Sequence, residues 1–272
     1  MSTQIIDFAQ WFQTPAGRCL QDWELSQGDR AVADCFGYQA LQIGALNLPL
    51  LRNSRVRHRW LAGLETPQAA SAAEVSACMQ GAGAASPHLF LEPTSLPFAE
   101  NSLDLVILPH TLEASADAHA TLREVARVLV PEGRVLIFGF NPLSLWGVQQ
   151  WHHLFMDRLG LEGPPFIPDV DDFIGYHRLQ DWLHLLNLDI DAGRFGCYRP
   201  GLHSQTWFDR LGWMEKAGDR WWPILGGVYF LQAVKRVRGV RMIQPRWKLA
   251  KLARGSMPVA QRRPAARRDM TP

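Results

Sequence analysis

Two short runs in this chain are apolar at nearly every position: LDLVIL at 103–108 and RVLIFGF at 134–140. A strand with one wet face alternates apolar and polar residues, whereas a strand apolar on both faces has to be covered on both. Between the two runs, Asp117 to Leu129 places Leu122, Val125, Ala126 and Leu129 on one helical face. Asp117 stands where a carboxylate favours a helix N-terminus, and Pro131-Glu132-Gly133 stops the helix. Strand, helix and strand in this order make a βαβ unit, so the chain predicts a parallel sheet.

Further strands are predicted in YQALQIG (38–44), in RVRHRWLAG (55–63, charged residues outward), in HLFLE (88–92), and near 188–195 and 228–234. Helices are predicted over much of 1–36 with a break near Pro15–Gly17, weakly over 70–86, and at 176–186 and 206–217. The expected organisation is an N-terminal helical segment (1–36), an α/β domain (37–235) and a basic, partly disordered tail (236–272).

The 272 residues suffice for a core that needs no staples. Cys19, Cys35, Cys78 and Cys197 lie far apart, with no metal-ligand spacing, which predicts reduced thiols and no metal site. The N-terminus lacks the charge and apolar core of a signal peptide, and no window approaches 18 apolar residues, so the expected location is cytoplasmic. Charge is uneven. Residues 235–272 hold twelve Lys/Arg and one acid, while 1–234 hold 16 bases against 25 acids. Such a tail can attract nucleic acid or an anionic membrane, or simply solubilise the chain. No G-x-S-x-G elbow, H-E-x-x-H helix or P-loop is present.

Parallel sheets bind ligands beyond the carboxyl ends of their strands. Pro109, His110 and Thr111 follow the 103–108 run and so stand at that edge. The surrounding stretch, 96–137, carries Leu96-Pro97-Phe98, Asp104, His110, Leu112-Glu113, Leu122, Glu124, Arg127-Val128-Leu129, Pro131 and Gly133 at ungapped spacing. In these residues the chain resembles the class I S-adenosylmethionine-dependent methyltransferases, in particular the type 11 branch. The resemblance implies a Rossmann-like, seven-stranded, mostly parallel sheet with helices on both faces and a reversed last strand. It implies S-adenosylmethionine as cofactor and a small-molecule acceptor. The implied cofactor contacts are Gln42, Gly44 and Ala45 after the first strand, Glu92, Pro93, Thr94 and Ser95 after the third, and Leu108 and Pro109 at the end of the fourth.

At the family's glycine-rich loop the matching positions read Gln42, Gly44, Leu46 and Leu48, so one glycine remains and the acid is an amide. Pro93 has no N–H to offer an adenine ring. By the same resemblance His110 is the candidate catalytic residue, positioning an acceptor or taking its proton, and His110, Asn141 and Trp146 are the candidate acceptor contacts. Asp104, Glu124 and Arg127 read as structural, and DRWWP (219–223) as packing beneath the last strand. The alternatives are a methyltransferase fold that serves as a scaffold without turnover, and an RNA- or membrane-associated protein acting through residues 235–268.

Overall fold

The structure, a computed structural model, describes residues 11–64, 88–158, 173–201 and 205–237. The weak helix expected at 70–86 and nearly all of the basic tail lie outside these residues.

Seven strands form one sheet: β1 (Gln39–Ile43), β2 (His58–Leu64), β3 (Leu89–Leu91), β4 (Leu103–Pro109), β5 (Leu129–Phe140), β6 (Leu188–Gly196) and β7 (Val228–Lys235). Their order is β3-β2-β1-β4-β5-β7-β6. The pairs from β3 to β5 are parallel, and β7 runs antiparallel to both β5 and β6. The sheet is therefore the mostly parallel one expected, with its last strand reversed. Pro131, Glu132 and Gly133 bulge out of β5. Leu103 pairs with Leu129 and Leu105 with Arg134, so the register skips across them.

Side chains alternate between two cores. Leu105, Ile107, Leu136, Phe138, Phe140 and Phe230 face one layer, where α1 (Pro15–Ala33) contributes Ala16, Leu20 and Val32. Leu103, Val106, Leu108, Val135, Ile137 and Leu231 face the other. There α3 (Ala118–Val128) buries Leu122, Val125 and Val128, following the short helix α2 (Thr111–Ala114). Each such side chain contributes about 1.5–3 kcal/mol by leaving water. α5 (Tyr176–Leu185) adds Leu179 and Leu183 to the same layer.

Pro15 starts a helix rather than breaking one. It occupies the first turn of α1, where a missing N–H costs nothing, and Thr14 Oγ1 accepts from Gly17 N–H at 3.1 Å. The helix expected over 206–217 is two short ones, α6 (Gln205–Arg210) and α7 (Trp213–Trp221), separated at Leu211-Gly212. The connection from β1 to β2 also departs from the βαβ pattern, for residues 44–57 cross over in turns with no helix.

The motif residues read as structural have plain mechanical work. Asp104 accepts from the N–H groups of Tyr38 (2.7 Å) and Gln39 (2.9 Å), which ties the start of β1 to β4. Arg127 donates to the carbonyls of Leu96 and Phe98, 3.0 Å each, and pairs with Glu124 at 2.8 Å. Glu124 in turn accepts from Leu96 N–H. The Leu96-Pro97-Phe98 loop is thus pinned to α3.

Candidate cofactor site at the carboxyl edge of the sheet

The carboxyl ends of β1, β3, β4 and β5 lie along one edge, and the sequence departs from regular structure at each. After β1 the chain bends through two left-handed residues, Gly44 (φ +82°) and Ala45 (φ +38°). A Cβ on Gly44 would sit 3.3 Å from Thr111 Oγ1, in a backbone conformation that L side chains rarely adopt. The Thr111 hydroxyl donates to the carbonyl of Ile43 and so fixes the bend against the end of β4.

Gln42 organises the inside of this bend. It is buried, and its amide nitrogen donates to the carbonyls of Leu48 (2.8 Å), Ala45 (3.3 Å) and Gly44 (3.4 Å). The carbonyls therefore turn inward. Among the described residues the N–H groups of Ala45, Leu46 and Asn47 donate to no acceptor. Leu48 packs into the core beside α1 with Leu50, which touches Gly28. Leu46 is half-buried. The bulk that the sequence places after Gly44 is thus partly withdrawn into the protein.

After β3, Glu92 is exposed and accepts from the Thr94 hydroxyl at 2.6 Å, while Ser95 N–H closes a turn onto the Glu92 carbonyl. Pro93 is buried and Ser95 exposed. Leu108 and Pro109 are buried within β4, with Leu108 facing the α3 core. A cavity of about 600 Å³ beside Arg57, Trp60 and His88 opens at the start of β2, away from this edge.

His110, the candidate catalytic residue and acceptor contact, does not face open solvent. It lies buried, left-handed at φ +54°, with its ring stacked on Phe140 at 4.2 Å between centroids. Nε2 is 2.8 Å from Glu24 Oε1, and Nδ1 is 3.0 Å from Glu113 Oε2. Glu113 also accepts from the N–H of Phe140 at 2.6 Å. Burial alone would lower the pKa of the imidazole, but the two carboxylates overcome this and raise it to about 10. Burial raises that of Glu113 against the opposing pull of His110. Both ring nitrogens are thus held by carboxylates, and His110 clamps α1 to the end of β4 and to α2.

Asn141 and Trp146 are likewise built into the framework. Asn141 Nδ2 donates to the carbonyls of Ile224 (2.7 Å) and Gly226 (2.9 Å), which brace the entry to β7. Trp146 is 1% exposed, and its indole N–H donates to the Arg199 carbonyl at 2.6 Å. Neither presents an open wall to an acceptor.

Two features of the site escaped sequence reading. Glu24 is fully buried, and its Oε2 has no partner among the described residues. The available signal was an acid four residues after Leu20, on the face of α1 that packs on the sheet. The other is the row of N–H groups at Ala45–Asn47, which composition does not report. Cys19 and Cys197 also meet, sulfur to sulfur at 3.9 Å, though 178 residues apart.

Comparison with known proteins agrees with this fold. A family model described as a methyltransferase domain matches residues 69–137. An Escherichia coli (strain K12) protein, "Uncharacterized protein YafS", is 33% identical over 146 residues, which cover 53% of each chain. A demethylmenaquinone methyltransferase of Mycolicibacterium paratuberculosis is 40% identical over 75 residues, covering 27% of this chain and 33% of that one. The chain thus spans about half or less of the length of these curated relatives. Among solved structures, a SAM-dependent methyltransferase of Thermotoga maritima superposes with a TM-score of 0.53 at 13% identity, over 86% of this chain and 96% of that one. The [4+2]-cyclase SpnF gives 0.50 at 18% identity, over 79% and 81%. The fold is that of the class I S-adenosylmethionine-dependent methyltransferases. The match at 69–137 carries the resemblance to their type 11 branch.

Proposed function

We propose that this chain is an S-adenosylmethionine-dependent methyltransferase acting on a small-molecule acceptor. The observation that carries this reading is the bend at Gly44–Asn47, whose carbonyls are turned inward to Gln42 while three successive N–H groups donate to no acceptor among the described residues. Such a row of donors suits the carboxylate end or ribose of the cofactor. Glu92, exposed after β3, is a carboxylate able to accept from an adenine amino group. The residues present fit the cofactor at these two points.

Bound S-adenosylmethionine would supply a methyl group already activated by its positive sulfur. The protein's part is then alignment and exclusion of water. Thr111 fixes the bend, and Gln42 holds its shape from inside. Glu24, His110 and Glu113 place two carboxylates against one imidazolium next to Thr111, so this buried cluster adds no positive charge that would repel a cationic ligand. Both ring nitrogens of His110 are engaged by Glu24 and Glu113. Demethylmenaquinone, in the name of the mycobacterial relative, supports a small molecule as the acceptor class.

A specific observation favours the scaffold reading as well: Gln42 stands where the family has an acid, and it supplies no charge. Calorimetry of the purified protein with S-adenosylmethionine separates the two. The enzyme reading expects saturable binding that weakens about tenfold in Glu92→Ala. No binding at millimolar cofactor would leave the scaffold.

A further inference from the structure

The cavity at the amino end of β2 is lined by Arg52, Arg57, His58, Arg59, Trp60 and His88, and by no carboxylate. Arg52 is paired with Asp29, but Arg57 and Arg59 have no acid within ion-pairing distance among the described residues. Residues 35–64 hold four arginines and no acid, whereas residues 1–234 as a whole hold 25 acids against 16 bases. Positive charge is thus gathered at this end of an otherwise acidic body. The cavity exists because β2 is uncovered here. β3 begins opposite Ala62, so among the described residues no strand pairs with His58–Leu61 on that side. Side chains from both faces of the sheet reach the open edge. Leu61 packs in the α1 layer, so Arg59 lies on that face and Trp60 on the other. Arg59 donates to the Leu51 carbonyl at 3.2 Å, which holds one arm of its guanidinium and leaves the rest. His88 Nδ1 accepts from Leu61 N–H at 3.1 Å, so the proton of the neutral ring sits on Nε2, a further donor. The Trp60 indole stands perpendicular to His88, 6.2 Å between centroids, and is 38% exposed.

We propose that this cavity binds a nucleoside monophosphate. Guanidinium groups recognise phosphate through paired N–H donors, and here two of them stand without a competing carboxylate. An exposed indole takes a base by stacking. A volume of about 600 Å³ lies within the range of small-molecule pockets. Phosphate alone would leave Trp60 unused, and a ring alone would leave the arginines unused. A nucleotide straddling the open edge uses both. Tryptophans exposed elsewhere have no such setting. Trp221 and Trp222, expected to pack beneath the last strand, are exposed at the end of α7, where Glu215 and Asp219 offset Lys216 and Arg220. Trp151 projects from α4 (Leu145–Arg158). The inference is independent of methyl transfer, for the cavity opens away from the carboxyl edge where the cofactor is placed.

The test is equilibrium dialysis of the full chain with labelled GMP, whose base differs from that of the cofactor. It is run with and without excess S-adenosylhomocysteine, the demethylated cofactor. Saturable binding is expected in both, weakening as salt is raised. Arg57→Gln should weaken it at least about tenfold. Arg57 is exposed and makes no hydrogen bond among the described residues, so this variant should keep the wild-type far-ultraviolet spectrum and melting temperature. Trp60→Leu should weaken GMP binding at least about threefold while leaving that of inorganic phosphate, measured by competition, unchanged. Several outcomes overturn the proposal: no saturable binding at millimolar GMP; binding that either variant leaves unchanged; inorganic phosphate competing as well as GMP itself; loss of GMP when S-adenosylhomocysteine is added; or binding of single-stranded RNA with no binding of GMP.

Discussion

His110 illustrates how a residue placed by a motif acquires its character from partners the motif does not contain. With its pKa raised from 6.5 to about 10, the charged imidazole contributes stability in full below pH 6.5. That contribution is lost as pH climbs through 10. Glu113, whose pKa burial also raises, acts in the same direction. Urea unfolding should therefore show stability falling between pH 6.5 and about 10, at up to roughly 1.4 kcal/mol per pH unit for one proton. A flat profile over that range would contradict the clamp. His110→Ala leaves Glu24 and Glu113 buried without their cation and should cost about 3–5 kcal/mol. At Gly44, alanine must take a left-handed conformation against Thr111, and Gly44→Ala should lower stability by about 1–2 kcal/mol in the same assay. By the family resemblance His110 was the candidate to position an acceptor or take its proton. Its counter-charge Glu24 lies 86 residues earlier, and nothing local to His110 announces it.

At the level of elements, the motif from Leu96 to Gly133 was legible because its parts are bound to one another. Arg127 holds two carbonyls of the Leu96–Phe98 loop and the Glu124 carboxylate. Arg127→Ala should cost about 2 kcal/mol in thermal or urea unfolding, and Arg127→Lys should recover only part of it, because lysine lacks the fork that reaches several acceptors. Asp117 caps α3 by accepting from Ala120 N–H at 2.9 Å, so Asp117→Ala should cost about 1 kcal/mol. A cost below a few tenths would mean the helix end is satisfied otherwise. The errors have local causes too. Pro15 was read as a breaker because proline interrupts a helix anywhere but its first turn, and the Thr14 cap was overlooked. The single helix expected over 206–217 rested on apolar spacing, which the turn at Leu211-Gly212 interrupts.

For the whole molecule, the parallel sheet followed from strands apolar on both faces, and its reversed last strand from the family resemblance. The turns between β1 and β2 did not, because residues 45–57 have no clean period. Exposure was the least legible property. Trp146 and the pair Trp221-Trp222 are alike in composition, yet the first is sealed in the core and the pair stands in solvent. Which fate a tryptophan meets is decided by segments distant in sequence. The role of α1 has a practical consequence. A fragment cut at Gly37 to isolate the sheet would discard Leu20 and Val32 from one core and strand a cation opposite the missing Glu24. Expressed without its first 36 residues, the remainder should emerge as aggregate, and supplying the excised peptide in trans should restore a soluble complex.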